Sequence, residues 1–167
     1  MKALVVFYSR ADENYFNGQY RYVSVGNTEK LAQMIAKKTG ADLFKLEQTV
    51  PYAKDYETCI AQAKKDMLNN ARPELRQLPG NMEQYDEIYL GYPNYWGAMP
   101  MAVYTFLESF DWSNKVIHPF CTHEGSDLGL TVKELRTMCK GAKVEKGLAV
   151  LGSAVDDAET EVVHWLA

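Results

Sequence analysis

Strand-like and helix-like segments alternate along the whole chain, and this alternation limits the folds open to it. Residues 2–8 form a nearly continuous apolar run with valine and aromatic residues, which is typical of a strand buried on both faces. Residues 27–38 then show the spacing of an amphipathic helix, with lysines near its end and Gly40 as a stop signal. A parallel sheet covered by helices explains such an order.

The same alternation continues to the last residues. The predicted strands cover residues 2–8, 41–47, 85–91, 115–121 and 142–151, the last with its ladder interrupted at Gly147. The predicted helices cover residues 27–38, 54–70, a stretch from Pro100 to Phe110, 130–139 and 156–166. The apolar face of the helix at 54–70 is expected to consist of Tyr56, Ile60, Ala63, Met67 and Leu68. Five strands and five helices predict an α/β three-layer sandwich, and 167 residues without a linker or repeat predict a single domain over residues 1–167.

Charge and cysteine content exclude several classes of function. The net charge of −4 disfavours nucleic acid and anionic membranes as main partners. No apolar run is long enough to span a bilayer, and residues 1–8 lack the pattern of a signal peptide. Cys59, Cys121 and Cys139 form no CxxC pair, so neither a disulfide framework nor a metal site is expected. The sequence predicts a cytoplasmic protein whose cysteines are small, largely buried apolar residues.

The residues best suited to bind a ligand or to take part in chemistry follow three of the predicted strands. In parallel α/β sheets, ligands bind beyond the carboxyl ends of the strands, where the strand order reverses. The loops at residues 9–28, 91–98 and 121–129 all leave such ends. We therefore expect these three loops to form one site.

The first loop has the composition of an anion cradle. Ser9 ends the first strand, and Gly26, Asn27 and Thr28 open the following helix, whose free N–H groups and dipole favour a phosphate. Gly26 allows close backbone approach. Asn27 or Thr28 as a simple helix cap is the alternative, and Arg10 either adds positive charge or is solvated.

The second and third loops offer a place for a planar ring. Tyr95 and Trp96 are predicted to be an exposed aromatic pair that stacks on a ring, or else to pack beneath the turn at Pro93. Gly97 is able to change the sign of φ at little cost. The third loop, residues 122–126, cradles another edge of the ring through its backbone, or is a plain turn with Ser126 as the cap of the next helix.

Common catalytic and nucleotide-binding motifs are absent from the sequence, so no catalytic residue is predicted. None of the patterns GxGxxG, GxxxxGK[ST], HExxH and GxSxG occurs. The segment between Ser9 and Gly26 is instead rich in aromatic residues, namely Tyr15, Phe16, Tyr20 and Tyr22. These residues form a lid, an interface or a local cluster, and the sequence alone does not distinguish these three roles.

Together the three loops resemble those of the flavodoxin-like family, whose members read YSRxGNT, GYPxWWG and CTxxGS. The corresponding segments here are YSR at 8–10, GNT at 26–28, GYPNYWG at 91–97 and CTHEGS at 121–126. The resemblance covers nearly the whole chain in order, and it implies a five-stranded parallel sheet of order 2-1-3-4-5 with FMN at the point where the order reverses.

The resemblance also assigns residues to the parts of FMN. The phosphate side would be formed by Ser9, Arg10, Gly26, Asn27 and Thr28. The isoalloxazine would be flanked by Pro93, Asn94, Tyr95, Trp96 and Gly97, with Trp96 as the stacking ring, and its pyrimidine side would be lined by Thr122, His123, Glu124 and Gly125. The chain departs from the pattern in two places. Sixteen residues, 10–25, interrupt the first motif, and Tyr95 replaces the first tryptophan of the second motif.

The function implied is that of a low-potential electron carrier, in which FMN exchanges electrons with redox partner proteins that the sequence does not identify. Glu124 and Asp127 near the ring would disfavour the anionic hydroquinone by like-charge repulsion and so lower that reduction potential. One alternative is an FMN-dependent NAD(P)H reductase of quinones or flavins, with the aromatic segment forming the substrate pocket. A second is a flavin-free binding module, for which the interrupted first loop is the main argument. The oligomeric state is not predicted.

Overall fold

The computed structural model describes residues 2–167, and these form a parallel sheet between two layers of helices, with a separate hairpin. The strands are β1 (Ala3–Tyr8), β2 (Asp12–Phe16), β3 (Gln19–Val23), β4 (Asp42–Leu46), β5 (Glu87–Pro93), β6 (Val116–His123), β7 (Lys143–Val144) and β8 (Leu148–Leu151). The α-helices are α1 (Asn27–Thr39), α2 (Tyr56–Leu68), α3 (Met101–Glu108), α4 (Thr131–Met138) and α5 (Glu159–Leu166). Short 3₁₀ helices cover Met82–Gln84 and Gly152–Asp157.

The main sheet has the strand order β4-β1-β5-β6, and β7 and β8 both pair with β6. All of these pairings are parallel. Counting β7 and β8 as one interrupted strand, the order is 2-1-3-4-5, so the predicted fold class is confirmed. The order reverses between β1 and β5, whose carboxyl ends lead into the first and second predicted loops.

The last strand is divided where the sequence suggested a break. Ile117 pairs with Val144, and the next pairing begins only at Phe120 with Leu148. A Cβ atom at Gly147 would lie 2.8 Å from a methyl carbon of Leu128 and 3.4 Å from the ring of Pro119. A residue larger than glycine at this position would require the Leu128 side chain to shift.

Each face of the sheet has its own apolar core. On one face, α1 and α5 cover Val5, Phe7 and Phe120. On the other, α3 and α4 enclose Val6, Leu90 and Tyr92, with Met67 of α2 packed against them. The helix α1 ends as predicted, because Gly40 adopts the left-handed conformation and its N–H donates to the Ala36 carbonyl at 2.8 Å.

Two helical predictions need correction. The last α-helix begins at Glu159 rather than at residue 156, since residues 152–157 form a 3₁₀ helix. Its tighter winding places residues three apart on one side, so that Val155 and Ala158 both enter the core. In α2, Leu68 was expected on the buried face but is 73% exposed at the last turn, whereas Cys59 takes a buried position.

The aromatic segment between Ser9 and Gly26 is a β-hairpin that none of the predicted elements anticipates. Strands β2 and β3 pair antiparallel, with Tyr15 opposite Tyr20. Asn17 and Gly18 form the turn with positive φ values of 47° and 92°, the geometry that Asn-Gly pairs favour in two-residue hairpins.

Among residues 2–167, no helix has both the length and the apolar character needed to cross a membrane.

Candidate functional site

The carboxyl ends of β1, β5 and β6 surround a cavity of about 270 Å³. Ten of the fourteen predicted binding residues line it, namely Arg10, Asn27, Thr28, Pro93, Asn94, Tyr95, Trp96, Thr122, His123 and Glu124. The other four, Ser9, Gly26, Gly97 and Gly125, belong to the same three loops but are not among the lining residues. The three loops therefore surround one cavity, and the binding role of these residues stays a prediction.

The first loop closes despite the inserted hairpin. Gly26 precedes α1 and packs so tightly on the end of β1 that a Cβ atom there would overlap the Arg10 carbonyl and the Ser9 hydroxyl. The Ser9 Oγ accepts a hydrogen bond of 3.0 Å from the Glu29 N–H. The side chain that caps α1 is thus Ser9, and neither Asn27 nor Thr28 has this role. The two halves of the first motif meet as a compact cradle.

Asn27 and Thr28 form the inner surface of this cradle. The hydroxyls of Thr28 and Thr122 share a buried hydrogen bond of 2.7 Å, which joins the first loop to the third. The N–H groups of Asn27 and Thr28 belong to the first turn of α1 and have no intrahelical partner. The side-chain oxygen of Asn27 is buried and also has no hydrogen-bond partner. Buried polar atoms without partners are costly, so this arrangement favours a polar ligand beside Asn27.

Arg10 lines the cavity, but its guanidinium is hydrogen-bonded to backbone carbonyl groups. It donates to the carbonyls of Glu13 at 3.0 Å, Ala53 at 3.0 Å and Lys54 at 2.7 Å. These bonds join the base of the hairpin to the segment before α2. Arg10 therefore has a structural function in addition to any electrostatic effect on a ligand.

The second loop is a tight turn that presents Trp96. The backbones of Tyr95 and Ala98 exchange hydrogen bonds of 2.8 and 3.0 Å, and Trp96 and Gly97 between them have φ values of 56° and 80°. A bulky residue rarely adopts positive φ, and such strain is concentrated at functional sites. The Asn94 side chain holds the turn, because it accepts from the Gly97 N–H and donates to the Asp127 carbonyl, both at 2.8 Å.

The two aromatic residues of this loop differ in environment, so the predicted exposed pair is only half correct. Trp96 is 49% exposed, and its indole N–H donates to the Ile60 carbonyl at 3.2 Å. Lys64 lies 4.9 Å from the centre of its ring. Tyr95 points inward and meets the Tyr8 ring edge-on, and its buried hydroxyl has no hydrogen-bond partner. Burial raises the pKa of Tyr95 well above its usual value, so the phenol is neutral.

The third loop adds a carboxylate and an imidazole to the rim. The Nδ1 of His123 accepts from the Gly125 N–H at 2.9 Å, and Gly125 has a φ of 131° that favours glycine. Burial raises the pKa of Glu124, whose Oε2 accepts from the Asn17 N–H of the hairpin at 3.4 Å. Ser126 lines the cavity and does not cap α4, which begins at Thr131.

Eight further residues line the cavity and were not among the fourteen predicted binding residues. They are Asn14 and Tyr15 of the hairpin, Tyr56, Cys59, Ile60 and Ala63 of α2, Ser126 and Gly152. Gly152 directly follows β8, so the rule that ligands bind at strand ends was a usable signal for it. No comparable signal indicated that α2 lines the cavity, because the position of α2 beside the cavity depends on the conformation of residues 47–55.

The three cysteines of the chain are buried thiols. Cys59, Cys121 and Cys139 are all buried, as the sequence predicted, and none of them forms a disulfide. Burial raises the pKa of Cys121 and of Cys139 to about 12, and that of Cys59 is also raised, so these thiols are protonated at neutral pH. Within residues 2–167, no cluster of His, Cys, Asp and Glu side chains has the arrangement of a metal site.

Comparison with protein families and with solved structures finds similarity to flavodoxins and flavoproteins. A family model described as Flavodoxin matches residues 19–167. The structure of a candidate flavoprotein from Bacteroides uniformis is 25% identical in sequence, with a TM-score of 0.78 and 97% of each chain covered. A flavoprotein in complex with FMN from Lactobacillus acidophilus is 19% identical, with a TM-score of 0.68 over 99% of each chain. Oxidised Flavodoxin 2 from Bacillus cereus is 18% identical, with a TM-score of 0.53 over 99% of this chain and 98% of that chain. No curated protein sequence matches.

Proposed function

This chain belongs to the flavodoxin family, and we propose that its cavity binds FMN, which then transfers electrons at low potential between redox partner proteins. The observation that carries the proposal concerns unsatisfied polar atoms. Among the side chains of residues 2–167, the buried nitrogen and oxygen atoms without a partner are the Asn27 Oδ1 and the Tyr95 hydroxyl, and both residues line this one cavity. The Asn27 oxygen lies in the cradle and is satisfied by a ligand whose tail carries hydrogen-bond donors, whereas the Tyr95 hydroxyl points inward, towards Tyr8.

The chemistry of the cradle fits a phosphate. The N–H groups of Asn27 and Thr28 point out of the start of α1, where the helix dipole stabilises negative charge. The Ser9 hydroxyl accepts from Glu29 and keeps its own proton for donation to an anion. Gly26 permits the backbone approach on which the cradle depends.

The remaining walls fit an aromatic ring. Trp96 offers a half-exposed face, and Asn94 and Gly97 place backbone and amide groups at the same rim. Thr122 and His123 form the opposite side. Bound FMN would supply the electron-transfer chemistry, while these residues orient it and set the charge and solvent exposure around it. The complex of the similar Lactobacillus acidophilus flavoprotein with FMN supports this assignment.

The decisive experiment is visible absorption spectroscopy of the purified protein with added FMN. We expect a yellow protein, or saturable uptake of one FMN per chain with quenching of flavin fluorescence. A colourless protein that takes up no FMN would contradict the proposal and favour a flavin-free module. The closed first loop argues against that module, because the inserted hairpin leaves the two halves of the cradle in contact.

One observation favours a second candidate, an FMN-dependent NAD(P)H reductase. The hairpin adds Tyr15 to the cavity wall, and the Tyr15 and Tyr56 rings stack with centres 5.9 Å apart. An aromatic wall of this kind suits a planar second substrate. Rapid bleaching of bound FMN by NAD(P)H, with turnover of an added quinone, would support the reductase, and its absence would support the electron carrier.

A further inference from the structure

The β2–β3 hairpin, residues 12–23, is firmly attached at its base. The Glu13 N–H donates to the Lys54 carbonyl at 3.2 Å, and the Glu13 carboxylate accepts from the Tyr56 N–H at 2.8 Å. The three bonds of the Arg10 guanidinium add to these contacts. The base is therefore fixed to the start of α2 by backbone and charged groups together.

The middle of the hairpin packs on the same helix through aromatic side chains. Tyr15 stacks on Tyr56, and Tyr20 contacts both rings with its own centre 5.4 Å from that of Tyr56. The Tyr20 hydroxyl donates to the Glu57 carboxylate at 2.8 Å. Asn14 and Tyr15 face the cavity from this position. The hairpin thus extends from α2 across one side of the site.

The tip of the hairpin reaches the opposite side and meets a single carboxylate there. The Asn17 N–H donates to Glu124 Oε2 over a long distance of 3.4 Å. The other oxygen of this carboxylate lies against Gly152, where a Cβ atom would be 2.6 Å from Glu124 Oε1 and 2.5 Å from the Asn27 amide nitrogen. Glu124 therefore connects the hairpin tip with the wall of the anion cradle, and this connection is much weaker than the base.

We propose that the hairpin is a strap that closes the phosphate end of the flavin cavity, and that Glu124 is the catch that holds its tip. This inference rests on the proposed binding of FMN. Beside the tip, the ring of Phe16 is buried and lies 4.1 Å from the Arg21 guanidinium, so the tip opens when both this packing and the long Asn17–Glu124 hydrogen bond are released. Opening removes the bridge between the third loop and the hairpin and exposes the cradle beside Asn27. Entry and exit of the cofactor then require release of the Asn17–Glu124 contact.

The test measures the rates of flavin binding and release by flavin fluorescence, for wild type and Glu124→Ala. Because a catch slows passage in both directions, the variant is expected to bind and release FMN roughly 2- to 10-fold faster, the effect of losing one hydrogen bond on the closed state. Riboflavin, which lacks the phosphate, is expected to respond in the same direction. In the flavin-free protein, hydrogen exchange at the Asn17 amide is expected to be faster in the variant.

Asp127→Asn is the matched control. Asp127 lies in the same loop and has a φ of 57°, which asparagine tolerates, and its side chain accepts from the Leu128 N–H, a bond that asparagine keeps. This substitution removes one negative charge without touching the hairpin, so it shows the effect of charge alone on the flavin rates, and the faster exchange at the Asn17 amide should be absent from it. Slower release of FMN by Glu124→Ala, with riboflavin unaffected, would show charge repulsion and overturn the catch.

The proposed function and the strap fail in different ways. If wild-type protein binds no FMN, the proposed function is wrong, and the role of the strap is lost with it. If FMN binds normally and exchange at Asn17 is unchanged in Glu124→Ala, the strap alone is wrong.

Discussion

Gly152 shows how a single residue without a side chain contributes to the site. It follows β8 and lies where the Asn27 amide and the Glu124 carboxylate approach one another. A methyl group at this position would meet both groups at distances below those of real Cβ contacts. The close approach of the last strand to the first and third loops therefore depends on glycine at this point.

Gly152→Ala is expected to weaken FMN binding by at least about tenfold, because the methyl group displaces Asn27 from the cradle or forces Glu124 into it. The dissociation constant is measured by fluorescence titration. Gly80→Ala is the control, since Gly80 has open space around its Cβ position and no positive φ. Equal FMN affinity of the two variants would show that Asn27 does not contribute to binding.

Glu124→Gln is expected to raise the reduction potential of bound FMN by tens of millivolts, because it removes a negative charge from the cavity wall. Burial raises the pKa of Glu124, so the wild-type carboxylate is charged only above that raised value. The difference in potential should therefore be largest above the raised pKa and vanish as the pH falls below it. Potentiometric titration at several pH values measures it. A difference independent of pH would remove the charge of Glu124 from the explanation.

At the level of the elements, the inserted hairpin is the main departure from a minimal fold of this family. It does not extend the main sheet and forms a two-stranded unit of its own. Its position depends on Arg10, a residue that the sequence assigned to the phosphate and that the structure shows bound to three carbonyls. Arginine suits this position because its planar fork donates in several fixed directions at once.

Arg10→Lys is expected to lower the free energy of unfolding by about 2 kcal/mol, since a lysine ammonium cannot reach all three carbonyls. Hydrogen exchange should become faster at the Glu13 amide, which bonds to Lys54 beside the guanidinium. Urea unfolding and hydrogen exchange check the two effects. Lys30→Gln, which breaks the exposed ion pair with Asp156, should change stability by less than about 1 kcal/mol. Equal effects of both variants would contradict the anchoring role of Arg10.

The sequence predicted the elements that carry strong periodic signals. Strands such as β1 and helices such as α1 were recognisable from apolar spacing and a glycine stop, and even the break at Gly147 was visible. The hairpin was missed although Asn17 and Gly18 signal its turn and Tyr20 and Tyr22 alternate with polar residues, because its two short strands are rich in polar residues and stand apart from the regular order of strand and helix. The position of α2 beside the cavity was not predictable from the sequence. It results from contacts of Arg10 and Glu13 with residues more than forty positions away.

At the level of the whole molecule, the fold brings together three chain segments that are far apart in sequence. The Thr28–Thr122 hydrogen bond joins the first loop to the third, and Asn94 joins the second to the third. The cavity therefore depends on the packing of the entire parallel sheet. A ligand that contacts all three loops should stabilise the complete fold, because it binds only the folded chain.

FMN at about 100 times its dissociation constant is expected to add about 2.7 kcal/mol to the stability of the folded state. For a chain of this size, that raises the midpoint of thermal unfolding by roughly 5 to 11 °C. Riboflavin at the same concentration should give a clearly smaller shift, because it cannot use the N–H groups of Asn27 and Thr28 that favour a phosphate. Differential scanning fluorimetry detected through tryptophan emission measures both shifts. Equal shifts for FMN and riboflavin would show that the cradle at the start of α1 does not hold the phosphate.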